Sequence, residues 1–118
     1  MPYYHYTSRQ GAQDILSSAA ILPNDQEGKI YLTPDRYDIG YRAANELAIA
    51  YKPAELGFEI PDDRVRDPTG PNPVTRLPHP SDPSLDLRQG GGQELTISDS
   101  IHIDVSANPP QWFILELP

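Results

Sequence analysis

Three polar residues of this chain, His5, Tyr31 and Glu94, have the types and settings from which a reactive cleft can be built. An imidazole forms hydrogen bonds, an aromatic ring packs against a planar group, and a carboxylate stabilises positive charge that develops in a transition state. Each lies in a short segment typical of a β-strand, where successive side chains point to opposite faces. Apolar or aromatic residues lie beside them, namely Tyr4, Tyr6, Ile30, Leu32 and Leu95. We therefore expect the three side chains to leave the apolar strand faces and converge on one cleft.

Glu94 has the most distinctive setting of the three. The run Gly90–Gly92 precedes it with one residue between. Glycine lets a ligand or another backbone approach closely, and it leaves a loop free to move. A carboxylate after such a run indicates a functional position more than a solvated strand residue. Glu59 also leaves an apolar strand face and is the alternative carboxylate.

The first elements of the chain are predicted to be a strand and a helix. Residues 2–6 are aromatic and favour a strand. Thr7 with Gln10 matches a capping box, which predicts a helix that starts here and ends before Pro23. Residues 29–33 are predicted to form the second strand.

A second helix is predicted to follow directly. Thr33, Pro34 and Asp35 combine an N-cap residue, a proline at the first helical position and an acid in the first turn. Apolar residues continue at helical spacing until Pro53, which ends the pattern. Residues 56–60 alternate and predict the third strand.

The second half of the chain differs in composition from the first. Residues 61–83 carry seven of the fourteen prolines and predict a long loop without regular structure, of the length that is usually functional or mobile. Strands are predicted over residues 94–97, 101–105 and 112–117. Helices early and strands late predict one α+β domain over residues 1–118, with a largely antiparallel or mixed sheet.

Charge and composition exclude several classes of function. The net charge of −8 disfavours nucleic acid and anionic lipid as partners, because binding to phosphates depends on Lys and Arg. The chain has no cysteine, which excludes disulfides and thiol catalysis. No run approaches the roughly 18 apolar residues of a membrane span. The N-terminus lacks the features of a signal peptide, and the cellular compartment stays open.

Common motifs for metal and nucleotide sites are also missing. His5, His79 and His102 do not have the spacing of metal ligands, so no metal is expected. Neither Gly-x-Gly-x-x-Gly nor a phosphate-binding Gly-Lys-Ser/Thr motif is present. Any nucleotide is therefore not bound by these two devices.

Three stretches together resemble the ADP-ribosyltransferase fold of the His-Tyr-Glu class, which includes diphtheria toxin and the poly-ADP-ribose polymerases. They are Tyr4–Ser8, Ile30–Asp35 and Gly90–Glu94, and within the class they are most similar to small toxin-type domains. Each motif is short, so their ordered combination over nearly the whole chain carries the specificity. The resemblance implies split antiparallel or mixed sheets with two N-terminal helices and a long Pro-rich loop. The acid departs from the narrower group, where it is often Asp or another polar residue.

The resemblance implies that NAD⁺ is the substrate. His5 would bind the adenosine ribose, and the backbone near Tyr6 and Thr7 would hold the nicotinamide amide. Tyr31 would stack on the nicotinamide ring, and Glu94 would bind the 2′-hydroxyl of the nicotinamide ribose.

Further residues of the first helix and of the second are assigned on the same resemblance. Ser8 and Arg9, at the first helix's N-terminus, would lie near the pyrophosphate. Tyr41, or alternatively Tyr37, would form a second wall against the nicotinamide. Gln93 is similar to the residue that positions protein acceptors in related transferases, although its spacing to Glu94 differs.

Three functions are compatible with these residues. The first is a mono-ADP-ribosyltransferase, the toxic domain of an effector that acts in a target cytoplasm on an unidentified acceptor. The second is an NAD⁺ glycohydrolase, and the third is a non-catalytic module that binds NAD⁺ or a partner through the Pro-rich loop. The toxin-like resemblance also implies a cognate inhibitor protein, with a basic patch to meet the acidic surface.

Overall fold

The computed structural model describes residues 1–23, 28–49, 53–74, 77–78 and 88–117. Within these residues the helices are α1 (Arg9–Ser18) and α2 (Gly40–Glu46), and a 3₁₀ turn covers Asp62–Arg64. The strands are β1 (Tyr3–Thr7), β2 (Ala20–Ile21), β3 (Ile30–Leu32), β4 (Leu56–Ile60), β5 (Thr69–Pro73), β6 (Leu77–Pro78), β7 (Arg88–Gln89), β8 (Gln93–Ile97), β9 (Ile101–His102) and β10 (Trp112–Ile114).

The strands form two three-stranded sheets, in the orders β1-β4-β10 and β3-β8-β5, and two pairs, β2-β9 and β6-β7. Every pair of named strands is antiparallel. The prediction of an α+β domain with few helices and antiparallel sheets is confirmed.

A pair of backbone hydrogen bonds joins the two larger sheets edge to edge. The amide of Tyr4 donates to the carbonyl of Thr33 at 2.8 Å, and the amide of Thr33 donates to the carbonyl of Tyr4 at 2.9 Å. This bridge is isolated, because β1 and β3 belong to different sheets, and the site described below lies beside it.

Two apolar clusters hold the sheets in place. The larger cluster packs α1 against both sheets and includes the fully buried Phe58, Ile60 and Leu95. The smaller cluster is aromatic, with the Tyr6 ring edge-on to Tyr37 and Phe113. Tyr4 and Tyr6 both belong to the aromatic cluster. Because successive side chains of a strand point to opposite faces, His5 points to the other face of β1.

The predicted capping box at Thr7 is wrong. Thr7 is the last residue of β1 and pairs with Leu56, so its backbone is committed to the sheet. The N-cap is Ser8, whose hydroxyl accepts a hydrogen bond from the amide of Gly11 at 3.1 Å. The helix ends at Ser18, before Pro23, because Ala19 adopts a left-handed conformation with φ of 55°.

The predicted helix start at Thr33 is also wrong, since α2 begins only at Gly40. Thr33 is almost fully buried, and its backbone pairs with Tyr4. Its hydroxyl accepts from the amide of Asp35 at 3.2 Å, which forms a local turn in place of a helical cap. Tertiary pairing therefore overrides a favourable local helix sequence. Tyr51, which lies in the predicted second helix, is outside the described residues.

The Pro-rich segment contains a strand, contrary to the prediction of a loop without regular structure. β5 pairs with β8 at the edge of its sheet, where prolines are tolerated because one side of the strand need not donate hydrogen bonds. The pairing shifts register between Thr69 and Asn72. His79 and much of residues 75–87 lie outside the described residues.

The last predicted strands are shorter than expected. The segment 101–105 contributes only the two residues of β9, and Val105 is exposed. The segment 112–117 contributes the three residues of β10. Among the described helices, none has the length and apolar character needed to cross a membrane.

Candidate functional site

A cleft of about 500 Å³ lies where the two larger sheets meet. His5, Tyr31 and Glu94 all line it, so the structure brings the three residues singled out in the sequence to one cavity. The other lining residues are Tyr4, Tyr6, Leu47, Ala48, Ile49 and Val74. The cleft is thus mostly apolar with a few convergent polar groups, which is typical of small-molecule sites.

Strand register places Tyr31 and Glu94 on the same face of their sheet. Tyr31 pairs with Thr96, and Glu94 lies two residues from Thr96 on β8. The two side chains are therefore diagonal neighbours across β3 and β8, within reach of a long aromatic side chain. Leu95 and Ile97 point to the opposite face and are buried.

His5 is held by a hydrogen bond to the strand that carries Tyr31. Its Nδ1 lies 3.0 Å from the carbonyl oxygen of Tyr31. Because a carbonyl oxygen only accepts, this bond requires a proton on Nδ1. Burial lowers the pKa of His5, and the bond to the carbonyl opposes this only in part. His5 is therefore neutral at pH 7, and its Nε2 is an acceptor suited to a hydroxyl group.

The lowered pKa of His5 makes stability depend on pH. An unfolded histidine has a pKa of about 6.5, so as the pH falls below this value the unfolded chain takes up the proton more readily than the folded one. We expect the free energy of unfolding to decrease between pH 7.5 and 5, with His5 contributing a slope of at most about 1.4 kcal/mol per pH unit. Urea denaturation measured across this range tests the expectation.

His5→Gln should flatten the stability profile between pH 7.5 and 5, because it removes the imidazole whose pKa is lowered by folding. An unaltered profile in His5→Gln would show that His5 titrates alike in the folded and unfolded chains.

Of the two candidate carboxylates, Glu94 is the one in the cleft. Glu94 is partly buried and lines the cavity. Glu59 is exposed on β4, where one of its oxygens lies 3.3 Å from the Tyr4 hydroxyl and 4.0 Å from a guanidinium nitrogen of Arg36. Glu59 is not among the described residues that line the cleft.

The glycine run before Glu94 packs closely against other backbones. The amides of Gly90 and Gly92 donate to the carbonyls of Asn45 and Glu46 at 2.6 and 3.0 Å. A Cβ at Gly92 would lie 3.0 Å from the Glu46 carbonyl oxygen. Close backbone approach, one of the two roles proposed for the glycines, is thus observed, and it fixes the start of β8 against the end of α2.

The apolar wall of the cleft was not predicted from the sequence. Leu47, Ala48 and Ile49 follow α2, and Val74 follows β5. Leu47 and Ala48 belong to the helical apolar pattern that the sequence extends to Pro53, so that pattern placed them on the core face of a longer helix. Ala48 instead turns the chain with a φ of 53°, and the segment lines the cavity.

Tyr6 and Thr7 follow His5 in β1 and line different cavities. Tyr6 lines the cleft, and its hydroxyl donates to the carbonyl of Asp35 and accepts from the amide of Tyr37 at 2.6 Å. Burial raises the pKa of Tyr6 well above its usual value, so the phenol stays neutral. Thr7 lines a second cavity that adjoins the first.

Four residues that the resemblance assigns to NAD⁺ do not belong to the described lining of the cleft, namely Ser8, Arg9, Tyr37 and Tyr41. Ser8 caps α1, and the exposed Arg9 lies 3.6 Å from a carboxylate oxygen of Glu55. Tyr37 is buried in the aromatic cluster, where burial and the nearby Glu46 raise its pKa to about 12. Tyr41 is exposed on α2. The aromatic residues that do line the cleft are Tyr4, Tyr6 and Tyr31.

Gln93 and Glu94 are consecutive in β8, so their side chains point to opposite faces of the sheet. Gln93 is not among the described cleft residues. The position of Gln93, outside the described lining of the cleft, therefore does not support the acceptor-positioning role that its similarity implied.

A second cavity of about 400 Å³ shares His5 and Tyr31 with the cleft. Its other polar lining residues include Thr7, Asp14, Ser18 and Lys29. His5 and Tyr31, which are joined by a hydrogen bond, are therefore common to the walls of both cavities. Among the described residues, no group of three His, Asp or Glu side chains could hold a metal ion.

Comparisons with known proteins do not identify a relative. No family model matches the chain, and neither curated proteins nor solved structures give a match.

Proposed function

We propose that this protein consumes NAD⁺ as a mono-ADP-ribosyltransferase of the His-Tyr-Glu class. The observation that carries the proposal is the single cleft lined by His5, Tyr31 and Glu94. The enzyme would break the bond between nicotinamide and ribose and transfer ADP-ribose to an acceptor. The toxin-like resemblance of the three motifs extends the proposal to an effector domain that is restrained by a cognate inhibitor protein.

The two adjoining cavities suit an elongated ligand with two ring systems. Their volumes, about 500 and 400 Å³, are within the range of small-molecule sites. Because both are lined by His5 and Tyr31, one end of a dinucleotide can occupy each cavity while its centre passes these two residues.

The aromatic and aliphatic walls of the larger cavity suit the nicotinamide. The planar ring would pack against Tyr31 on one side and the wall formed by Leu47, Ile49 and Val74 on the other. Such packing fixes the orientation of the leaving group before the bond breaks.

The backbone of Tyr6 is suited to hold the amide of nicotinamide. In a strand, alternate residues direct their N–H and C=O groups to the same edge. Tyr4 directs both groups to Thr33, and Thr7 directs its carbonyl to Glu55 on the β4 side. The backbone groups of Tyr6 therefore face the β3 side, next to the isolated Tyr4–Thr33 bridge and beside the cleft.

Glu94 would supply the charge stabilisation. Cleavage of an N-glycosidic bond passes through an oxocarbenium-like state with positive charge on the ribose. A fixed carboxylate beside that ribose stabilises the charge most strongly where little water is present. The neutral His5 would accept a hydrogen bond from a ribose hydroxyl through its Nε2.

Product analysis of NAD⁺ tests the proposal. Purified protein is incubated with NAD⁺ labelled in the adenosine and with cell lysate, and the products are resolved by mass spectrometry. Nicotinamide release with label on an acceptor supports the transferase. Free ADP-ribose without a labelled acceptor identifies an NAD⁺ glycohydrolase, and NAD⁺ that binds unchanged identifies a binding module. If the protein neither binds nor consumes NAD⁺, the proposal is rejected.

Tyr31 provides a graded test of stacking. Tyr31→Ala removes the ring, and we expect kcat/KM for NAD⁺ to fall roughly tenfold, since an aromatic contact contributes about 0.5–1.5 kcal/mol beyond its buried area. Tyr31→Phe keeps the ring and should retain most of the activity. Equal losses in both variants, measured by steady-state kinetics, would show that the hydroxyl rather than the ring is required.

A further inference from the structure

We infer that Asn72 positions the acceptor and sets the ratio of transfer to hydrolysis, an inference that rests on the proposed function. Asn72 lies on β5 in the Pro-rich segment and pairs directly with Glu94 on β8. Directly paired residues of antiparallel strands present their side chains on the same face, with Cβ atoms about 4.5–5.5 Å apart. The side-chain carboxamide of Asn72 therefore lies on the same face as the carboxylate of Glu94 and next to it.

The order of strands divides the surroundings of Glu94 into two sides. β8 lies between β3 and β5, and β1 joins the far edge of β3 through the Tyr4–Thr33 bridge. His5 and Tyr31, which are assigned to NAD⁺, lie on the β3 side of Glu94, and Val74 closes the nicotinamide wall only beyond the end of β5. A ribose held there against Glu94 leaves the β5 side, with Asn72, as the direction of approach for the acceptor.

The placement of Asn72 at the rim supports this role. Val74, two residues further along β5, lines the cleft, whereas Asn72 is exposed. An incoming macromolecule can reach Asn72 without displacing the NAD⁺ bound inside. A carboxamide both donates and accepts hydrogen bonds, so its oxygen can accept from the N–H or O–H of the attacking group.

The chemistry balances without a further reactant. The bond between C1′ of the ribose and the nicotinamide nitrogen breaks, and its electron pair leaves with neutral nicotinamide. The acceptor X–H forms a new C1′–X bond and loses its proton to solvent. NAD⁺ and X–H thus give ADP-ribosyl-X, nicotinamide and one proton. Asn72 orients X–H and takes no proton, so it is a positioning residue.

The test is the ratio of acceptor-bound to free ADP-ribose formed from labelled NAD⁺ in lysate. A ratio does not change when part of a variant is unfolded, so a purely structural role would not affect it. In Asn72→Ala we expect the ratio to fall roughly fivefold, the loss of one hydrogen bond, while nicotinamide release falls less.

Thr69→Ala is the matched control, because Thr69 lies on the same strand and pairs with Thr96 rather than with Glu94. Its product ratio should equal that of the wild type. If the wild type consumes NAD⁺ and Asn72→Ala keeps the wild-type ratio, the inference is wrong while the proposed function stands. If the wild type releases no nicotinamide, the proposed function fails and the role of Asn72 fails with it.

Discussion

Glu94→Gln should lower NAD⁺ consumption by about 10²–10³-fold, the usual effect of removing one preorganised group that stabilises transition-state charge. Glutamine keeps the size and shape of the side chain and removes only the negative charge. Glu94 is only partly buried in the cleft. Among the described residues, no buried side-chain nitrogen or oxygen lacks a hydrogen-bond partner. We therefore expect an unchanged melting temperature and an NAD⁺ affinity close to that of the wild type, so that the loss falls on kcat.

Glu59→Gln is the matched control for Glu94→Gln. Both glutamates lie in the central strand of a three-stranded sheet, but Glu59 points to the surface near Arg36. Nicotinamide release by Glu59→Gln should equal that of the wild type. If Glu59→Gln is inactive and Glu94→Gln is active, the acid has been assigned to the wrong strand. If both variants keep full activity, catalysis does not depend on a carboxylate in this cleft.

The parts of the fold that could be predicted are those in which local alternation coincides with burial. β1, β4 and β8 alternate in sequence, and in β8 the structure buries Leu95 and Ile97 as expected. The same alternation correctly placed Tyr31 and Glu94 away from the core of their sheet. These predictions needed only the two-residue period of a strand.

The failures of prediction come from long-range pairing. Thr33, Pro34 and Asp35 form a strong local helix start, but two backbone hydrogen bonds to Tyr4, 29 residues earlier, hold Thr33 in an extended segment. β5 likewise exists because β8 offers it a partner, despite its prolines. Sequence spacing contains no information on such partners, and for the same reason it could not place Asn72 beside Glu94.

The end of α2 shows the same limit at the site itself. Helical apolar spacing includes Leu47 and Ala48 and continues towards Pro53, so periodicity alone extends the helix and turns these two residues towards a core. The helix instead ends at Glu46, whose carbonyl accepts from the amide of Gly92. Leu47, Ala48 and Ile49 follow directly and line the cleft, so the position of α2 matters for the site.

Gly40→Ala should destabilise the protein by about 1–3 kcal/mol or more, because the added methyl group has no room. Gly40 begins α2 between two backbones. Its amide donates to the carbonyl of Glu116 at 2.6 Å, and its carbonyl accepts from the amide of Ala54 at 3.2 Å. A Cβ on Gly40 would lie 2.0 Å from the carbonyl oxygen of Ala54, so backbone must move. Urea denaturation and thermal unfolding measure the loss.

Asn45→Ala is the control for Gly40→Ala, because it places alanine on the same helix at an exposed position. Alanine favours helix more than asparagine does, so Asn45→Ala should be as stable as the wild type or slightly more so. Shifting α2 also shifts the wall that follows it, and Gly40→Ala should therefore bind NAD⁺ more weakly even below its melting temperature. Wild-type stability in Gly40→Ala would mean that α2 does not pack on Ala54 as described, and the wall of the cleft would then have to be placed differently.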